Sequence, residues 1–209
     1  MILERDRVST LEAIQRSGTD LPETVLTPDH SSFAGPAGLR VTFALIVAVP
    51  GTRAVLINAD NSRGGWLPLR VALRRDGAFA VEVGYDVLAV DQDGTALAPV
   101  VDELGRELRG AGSVPVFVAS GREGHRHLFA RVRDRERWTA RARDLGLPGD
   151  AIRLGNNLIR PPLSPHRLGL PVALLDPTDP VEAVVALAPR ERTARRLSRR
   201  MRKLLREGQ

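Results

Sequence analysis

The chain has 209 residues, of which 43% are hydrophobic and only 4% are aromatic, so a core must consist mainly of Val, Leu, Ile and Ala. It contains no cysteine, which excludes disulfides and thiolate zinc sites and favours a reducing, cytoplasmic location. The N-terminal segment is charged, and no apolar run reaches the roughly 18 residues that a membrane span requires. We therefore expect no membrane contact.

The apolar pattern predicts strands and helices that alternate through the middle of the chain. A helix is predicted over residues 1–17, followed by a loop over 18–40 that is rich in Gly, Pro, Ser and Thr. Strands or extended segments are predicted at residues 41–49, 54–58, 78–83, 87–90, 114–119, 127–132, 151–159 and 172–175. Helices are predicted at residues 96–108, 135–145 and 179–187. This order favours an α+β class with α/β-like alternation.

The C-terminal segment carries the positive charge. Residues 190–209 hold nine Arg or Lys and two Glu, a charge of +7, so the other 189 residues carry −1 of the total +6. We predict a domain over residues 1–188 and a basic helix over 189–209 whose cations contact DNA phosphates. The candidate DNA-binding residues are Arg195, Arg196, Arg199, Arg200, Arg202 and Lys203. A solvated helix, a helix that docks on a partner protein and a helix on a membrane surface are the alternatives, and membrane binding is the least favoured because the apolar stripe has no aromatic residue.

Two acidic residues, Asp91 and Asp93, follow the apolar run 87–90 and precede Gly94. Residues at i and i+2 of a strand point to the same side, so both carboxylates leave the strand end together. Paired carboxylates suit Mg²⁺ or Mn²⁺, which prefer oxygen ligands. The alternative is a polar turn that closes the strand.

A glycine-containing loop lies between two further predicted strands. It begins at Ser120-Gly121 and reaches His125 and His127 at the start of the next strand. Glycines permit a close backbone approach to an anion, and a histidine there can bind a phosphate oxygen. The alternative is a hairpin with exposed histidines.

The third group of candidate residues begins at Asp150, a possible third carboxylate. It continues in a proline-rich stretch, where Pro161 and Pro162 stiffen the backbone between candidate anion ligands. These ligands are Arg160, His166 and Arg167. The alternative is a proline-rich surface loop.

In this order, the three groups resemble the archaeo-eukaryotic primase superfamily, and in particular the primase–polymerase domains of actinobacterial plasmid and phage replication proteins. The resemblance covers roughly residues 85–188. It implies a mixed or antiparallel central sheet flanked by helices, and a DNA primase or DNA polymerase activity, that is, nucleotidyl transfer in DNA replication or repair.

The resemblance also implies roles for individual residues. Asp91, Asp93 and Asp150 would be catalytic and bind Mg²⁺ or Mn²⁺. Ser120, Gly121, His125, His127, Arg160, His166 and Arg167 would bind the nucleoside triphosphate. DNA template or primer and nucleoside triphosphates are the implied partners, with a separate replicative helicase as a further candidate.

Several alternatives stay open at this point. Either His125 or His127 can be the phosphate ligand, and synthesis can start de novo or only extend a primer, from ribo- or deoxyribonucleotides. A catalytically weak, primase-like module for DNA binding or replication initiation is a rival function. A metal-dependent nuclease is a further rival, disfavoured because no Glu and Lys accompany the acid pair.

Overall fold

Two antiparallel sheets and five α-helices form the part of the chain that the computed structural model describes, residues 36–49, 51–75, 77–154 and 157–189. The strands are β1 Arg53–Ile57, β2 Arg63–Pro68, β3 Phe79–Ala80, β4 Val87–Gln92, β5 Val116–Ala119, β6 Arg126–Arg131 and β7 Leu174–Asp176. The helices are α1 Pro36–Val47, α2 Leu69–Ala72, α3 Ala98–Gly110, α4 Arg135–Asp144 and α5 Pro180–Leu187, and a 3₁₀ turn at Thr95–Leu97 precedes α3.

The larger sheet has the strand order β4-β6-β5-β7 and is covered by helices on both faces. Its central strands are continuous apolar runs because side chains on both faces are buried. On one face, Val87, Ala89, Val116, Val118 and Phe129 pack with α1 and α5. On the other face, Leu88, Val90, Phe117, Leu128 and Ala130 pack with α3 and α4. The predicted α+β class, with a central sheet flanked by helices, is confirmed.

The smaller sheet has the order β2-β1-β3 and packs against α1 and α2. It joins the rest of the molecule through isolated backbone pairs. Val83 pairs with Ala48 after α1, and Val81 pairs with Ile159 in the proline-rich stretch. These pairs place β3 beside the segment that carries Arg160.

A buried ion pair ties the ends of two helices to the larger sheet. Arg131 at the end of β6 is only 4% exposed and pairs with Asp86 just before β4. Its Nη2 donates to the carbonyls of Ile46 in α1 and Leu187 in α5, both at 2.5 Å. The last carbonyls of a helix have no partner within the helix, so one guanidinium satisfies both helix ends.

One predicted element was wrong, and one strand was not predicted. Residues 41–49 were predicted to be a strand, but residues up to Val47 belong to α1. This helix packs between the larger sheet and the smaller sheet, so it is apolar on nearly every side. The helical period of its apolar residues is therefore hidden in the sequence. The strand β2 was not predicted, because its glycines and exposed residues lack the alternation of a half-buried strand.

The segment 151–159 was predicted to be extended. It contributes single backbone pairs at Ile152 and Ile159 rather than a strand. The helix predicted at residues 1–17 and the basic segment 190–209 lie outside the described residues. Within the described ranges, every helix is too short or too polar to cross a membrane.

Candidate functional site

The register of β4 and β6 brings the first acid and the second histidine together. Asp91 lies directly opposite His127 in this antiparallel pair. Side chains of directly opposed residues point to the same face, and His127 Nε2 lies 3.3 Å from Asp91 Oδ1. His127 is buried and Asp91 is half-buried, so the pair lies partly shielded from solvent.

A second acid–histidine pair lies next to the first, between the residue after the end of β4 and the residue before the start of β6. Asp93 Oδ1 lies 2.5 Å from His125 Nδ1, and the Asp93 side chain is 82% exposed. Because Asp93 is two residues after Asp91 and His125 two residues before His127, the two pairs continue one cross-strand ladder. The ladder therefore runs from a partly buried pair to a solvent-facing pair.

The residues between these pairs point to the opposite face and hold the strand ends in place. Gln92 is opposite Arg126, whose Nε donates to Gln92 Oε1 at 2.6 Å. The Gln92 amide in turn donates to the carbonyls of Gly94 and Gly124, at 3.1 and 2.8 Å. Arg126 also lies 4.9 Å over the ring of Phe117. Gln92 and Arg126 therefore fix the two loops that carry Asp93 and His125, a role that was not predicted.

The segment after Asp150 runs beside β4 and supplies a second partner to Asp91. The Asp91 amide donates to the carbonyl of Ala151 at 2.8 Å, and the Arg153 amide donates to the carbonyl of Ala89 at 2.9 Å. The Arg153 guanidinium makes an ion pair with Asp91 Oδ2. Burial alone would raise the pKa of Asp91, but the hydrogen bonds and charges of His127 and Arg153 outweigh it and hold this pKa well below its ordinary value.

The glycine loop after β5 lies against the proline-rich stretch. The Ser120 amide donates to the carbonyl of His125 at 3.0 Å, which closes the loop. Gly121 has φ of +97°, and a Cβ there would lie 2.8 Å from Cδ2 of His166. A residue with a side chain would be strained at this φ and would meet the imidazole ring. Glycine therefore allows the backbone of the loop and His166 to approach closely.

Arg160 connects this loop to the acid pair electrostatically. Its Nη2 donates to the carbonyl of Ser120 at 2.8 Å, whereas its Nη1 is buried and has no hydrogen-bond partner among the described residues. Burial lowers the pKa of Arg160 to about 10, and the charge of Asp91 opposes that shift. Nε of Arg153 is likewise buried without a partner. Two guanidinium groups near Asp91 thus have donors that a bound anion could satisfy.

The imidazole of His166 is affected by the positive charges in this part of the site. Its pKa is lowered by burial and then by the charges of Arg160, Arg167, Arg122 and His127. Nδ1 of His166 accepts from the amide of Leu168 at 3.2 Å. Arg167 also donates to the carbonyl of Ala59 in the turn between β1 and β2. The seven predicted triphosphate-binding residues therefore lie on the glycine loop, the start of β6 and the facing proline-rich stretch.

Asp150 is exposed and lies in the turn that precedes Ala151. In the described residues, no three His, Asp or Glu side chains are grouped as a metal-holding cluster. The structure therefore does not gather Asp91, Asp93 and Asp150 into a preformed cage. The predicted DNA-binding residues of the basic segment, Arg195, Arg196, Arg199, Arg200, Arg202 and Lys203, lie outside the described residues.

The donor set fits a metal ion that arrives with its substrate. Mg²⁺ keeps several waters and is commonly held by one or two carboxylates together with substrate phosphates. Asp91 and Asp93 can supply those carboxylates, since Asp93 is largely exposed. The unpaired donors of Arg153 and Arg160 suit the phosphates. Asp91 and Asp93 could therefore hold a metal ion together with substrate phosphates.

Comparison with known proteins finds similarity to solved structures. No family model and no curated protein matches the chain. Among solved structures, the polymerase domain from Mycobacterium tuberculosis Ligase D, determined in complex with DNA, is similar, with a TM-score of 0.45 and 13% sequence identity. The similarity covers 82% of this chain and 89% of that chain.

Proposed function

We propose that the chain is a primase–polymerase domain that transfers nucleotides to a DNA strand with Mg²⁺ or Mn²⁺. The observation that carries this proposal is the acid–histidine ladder, Asp91 with His127 and Asp93 with His125, beside two arginines with unsatisfied buried donors. Carboxylates for a metal ion and cations for phosphates thus lie side by side. Nucleotidyl transfer requires this combination, because the reaction depends on positioning and charge neutralisation.

In this proposal, Asp91 and Asp93 hold the divalent ions, with Asp150 as a candidate third ligand. The ions supply activation of the attacking hydroxyl and neutralisation of the leaving pyrophosphate. His127 lies closer to the buried end of the ladder, and His125 closer to solvent. Either histidine can donate to a phosphate oxygen once its carboxylate partner binds a metal ion.

The remaining residues of the site bind the triphosphate. Gly121 lets the backbone after Ser120 approach the phosphates, and Arg160 holds that loop through the Ser120 carbonyl. His166 and Arg167 add donors and positive charge from the facing stretch. The basic segment after Pro189 binds the phosphates of the DNA template or primer. A separate replicative helicase is a further candidate partner, since these 209 residues contain no GxxxxGK[ST] nucleotide-binding loop.

Primer extension with labelled nucleotides tests this proposal directly. Asp91→Ala and Asp93→Ala should each lower incorporation at least about 100-fold in Mg²⁺ or Mn²⁺ while the far-ultraviolet circular dichroism stays unchanged. Asp102→Ala is the matched control, because Asp102 also pairs with an arginine but on the other face of the sheet. Full incorporation by either site variant would refute the assignment of the metal ligands.

A second candidate is a module that binds nucleotides or DNA without catalysis. One observation favours it: both carboxylate oxygens of Asp91 already have partners, His127 and Arg153, so a metal ion must displace at least one of them. If wild-type protein binds a triphosphate but incorporates no nucleotide with either metal ion, this candidate replaces the enzyme. Degradation of single-stranded DNA without nucleotides would instead indicate a nuclease.

A further inference from the structure

The smaller sheet presents an exposed tryptophan that packing does not explain. Trp66 on β2 is 48% exposed, although the chain has only two tryptophans and few aromatic residues of any kind. It lies opposite Val55 of β1, which is fully buried. In the described part of the chain, β2 pairs on one side only, with β1. The indole is thus held on an ordered edge strand with half of its surface available to a ligand.

Positive charge is concentrated around this strand. Residues 51–75 contain five arginines and a single acidic residue, Asp60, whereas the first 189 residues together carry a net charge of −1. All five are exposed: Arg53, Arg63, Arg70, Arg74 and Arg75. None of them makes an ion pair with any residue that the structure describes. The surface therefore favours a polyanionic partner.

Two of these arginines lie near Trp66: one contacts its backbone, and the other follows β2 in the chain. Arg53 Nη2 donates to the carbonyl of Trp66 at 2.9 Å, so this guanidinium is held beside the strand. Arg70 follows Pro68 at the start of α2, just beyond the end of β2. A flat π-surface between exposed cations is the combination that binds single-stranded nucleic acid, because bases stack and phosphates pair. A lipid surface would require more than one exposed apolar anchor on this strand.

The strand also adjoins the candidate site. The β1–β2 turn accepts a hydrogen bond from Arg167 at Ala59, and Val81 of the same sheet region pairs with Ile159, next to Arg160. A strand of nucleic acid lying along β2 would therefore lead toward the proposed triphosphate site. We propose that β2 is a binding surface for single-stranded DNA, on which Trp66 stacks a base while Arg53 and Arg70 hold neighbouring phosphates. Only the role of the bound DNA as the template rests on the proposed function.

Tryptophan fluorescence tests this surface without metal ions or nucleotides. In a Trp138→Phe background, Trp66 is the sole tryptophan, so its emission reports on contacts at β2 alone. Titration with a 12-mer of deoxythymidylate should quench this emission. The variants are compared by the fluorescence anisotropy of a fluorescein-labelled 12-mer, where Trp66→Ala should weaken binding roughly 10-fold whereas Trp66→Phe should retain most of it. Measurement at raised salt suppresses the electrostatic contribution of the basic segment 190–209.

Tyr85→Ala is the matched control, because Tyr85 is also exposed and lies under an arginine, Arg135, on a different part of the surface. Unquenched emission, or equal affinity of Trp66→Ala and the parent protein, overturns the proposal. So does a blue shift of the emission with phosphatidylserine vesicles but no response to the oligonucleotide. If Trp66 fails this test while Asp91→Ala still abolishes incorporation, the surface is refuted and the proposed enzyme stands.

Discussion

Replacing Asp91 by Asn changes triphosphate affinity in opposite directions with and without metal ions. The substitution keeps the side-chain size but removes the negative charge that pairs with His127 and Arg153. Without a metal ion, this carboxylate repels a triphosphate and occupies two of its potential donors. With a metal ion, it attracts the complex as a ligand. The variant should therefore bind free triphosphate more tightly and its metal complex less tightly than the wild type.

The gain without metal follows from the distances in the site. The Asp91 carboxylate contacts both His127 and Arg153, so an anion bound to the same two side chains would be about 6 Å from it. At that separation, a unit charge repels another by about 0.7 to 3 kcal/mol for effective dielectric constants between 80 and 20. Removal of the negative charge of Asp91 should tighten the binding of tripolyphosphate roughly 3- to 100-fold.

Isothermal titration of tripolyphosphate, once in EDTA and once with Mn²⁺, measures both effects. The control is Asp102→Asn, which frees Arg126 on the other face and should leave both affinities unchanged. Weaker binding by Asp91→Asn in EDTA would show that the anion does not lie beside this carboxylate. If Mn²⁺ increases the affinity for tripolyphosphate equally in the wild type and in Asp91→Asn, Asp91 is not a metal ligand.

Three further predictions follow from the structure. Arg131→Met should lower the free energy of unfolding in urea by about 2–4 kcal/mol, because the partly buried Asp86 loses its partner and carbonyls at two helix ends lose their donor; a loss below about 1 kcal/mol contradicts that role. Since the pKa of Asp91 is lowered from 3.8 by folding, its ionised form contributes stability that is complete above about pH 5 and is lost as the pH falls. Asp91→Asn should accordingly show a shallower loss of stability between pH 6 and 3, and parallel curves would refute this. Deletion of the residues after Pro189 should weaken DNA binding and reduce its dependence on salt, so an unchanged salt slope would exclude the basic segment.

The local geometry of the acid–histidine ladder was predictable from sequence. Alternation along a strand placed Asp91 and Asp93 on one side, and an apolar run from Leu128 placed His127 at the start of the next strand. The observed register puts Asp91 opposite His127. The glycine loop could be predicted for a similar reason, since two glycines between strands favour a tight turn. The alternation along β4 and the glycine turn depend on residues that are close together in the chain.

The missed features depend on contacts between distant residues. Arg153 reaches Asp91 across 62 positions of the chain, and Arg131 reaches Ile46 across 85. The apolar periodicity of the sequence does not predict such distant partners of an arginine. An arginine before a loop is ordinarily a solvated side chain. Trp66 was missed for another reason, since the exposed strand that carries it has no buried face to give an apolar pattern.

The central claim is that the ladder at the end of β4 binds a metal ion together with a nucleoside triphosphate. Anomalous diffraction from crystals grown with Mn²⁺ and a non-hydrolysable deoxynucleoside triphosphate tests it most directly. We expect Mn²⁺ peaks against the carboxylates of Asp91 and Asp93, with phosphates against His127 and Arg160. A triphosphate bound elsewhere, or in this place with Mn²⁺ remote from both carboxylates, would contradict the claim.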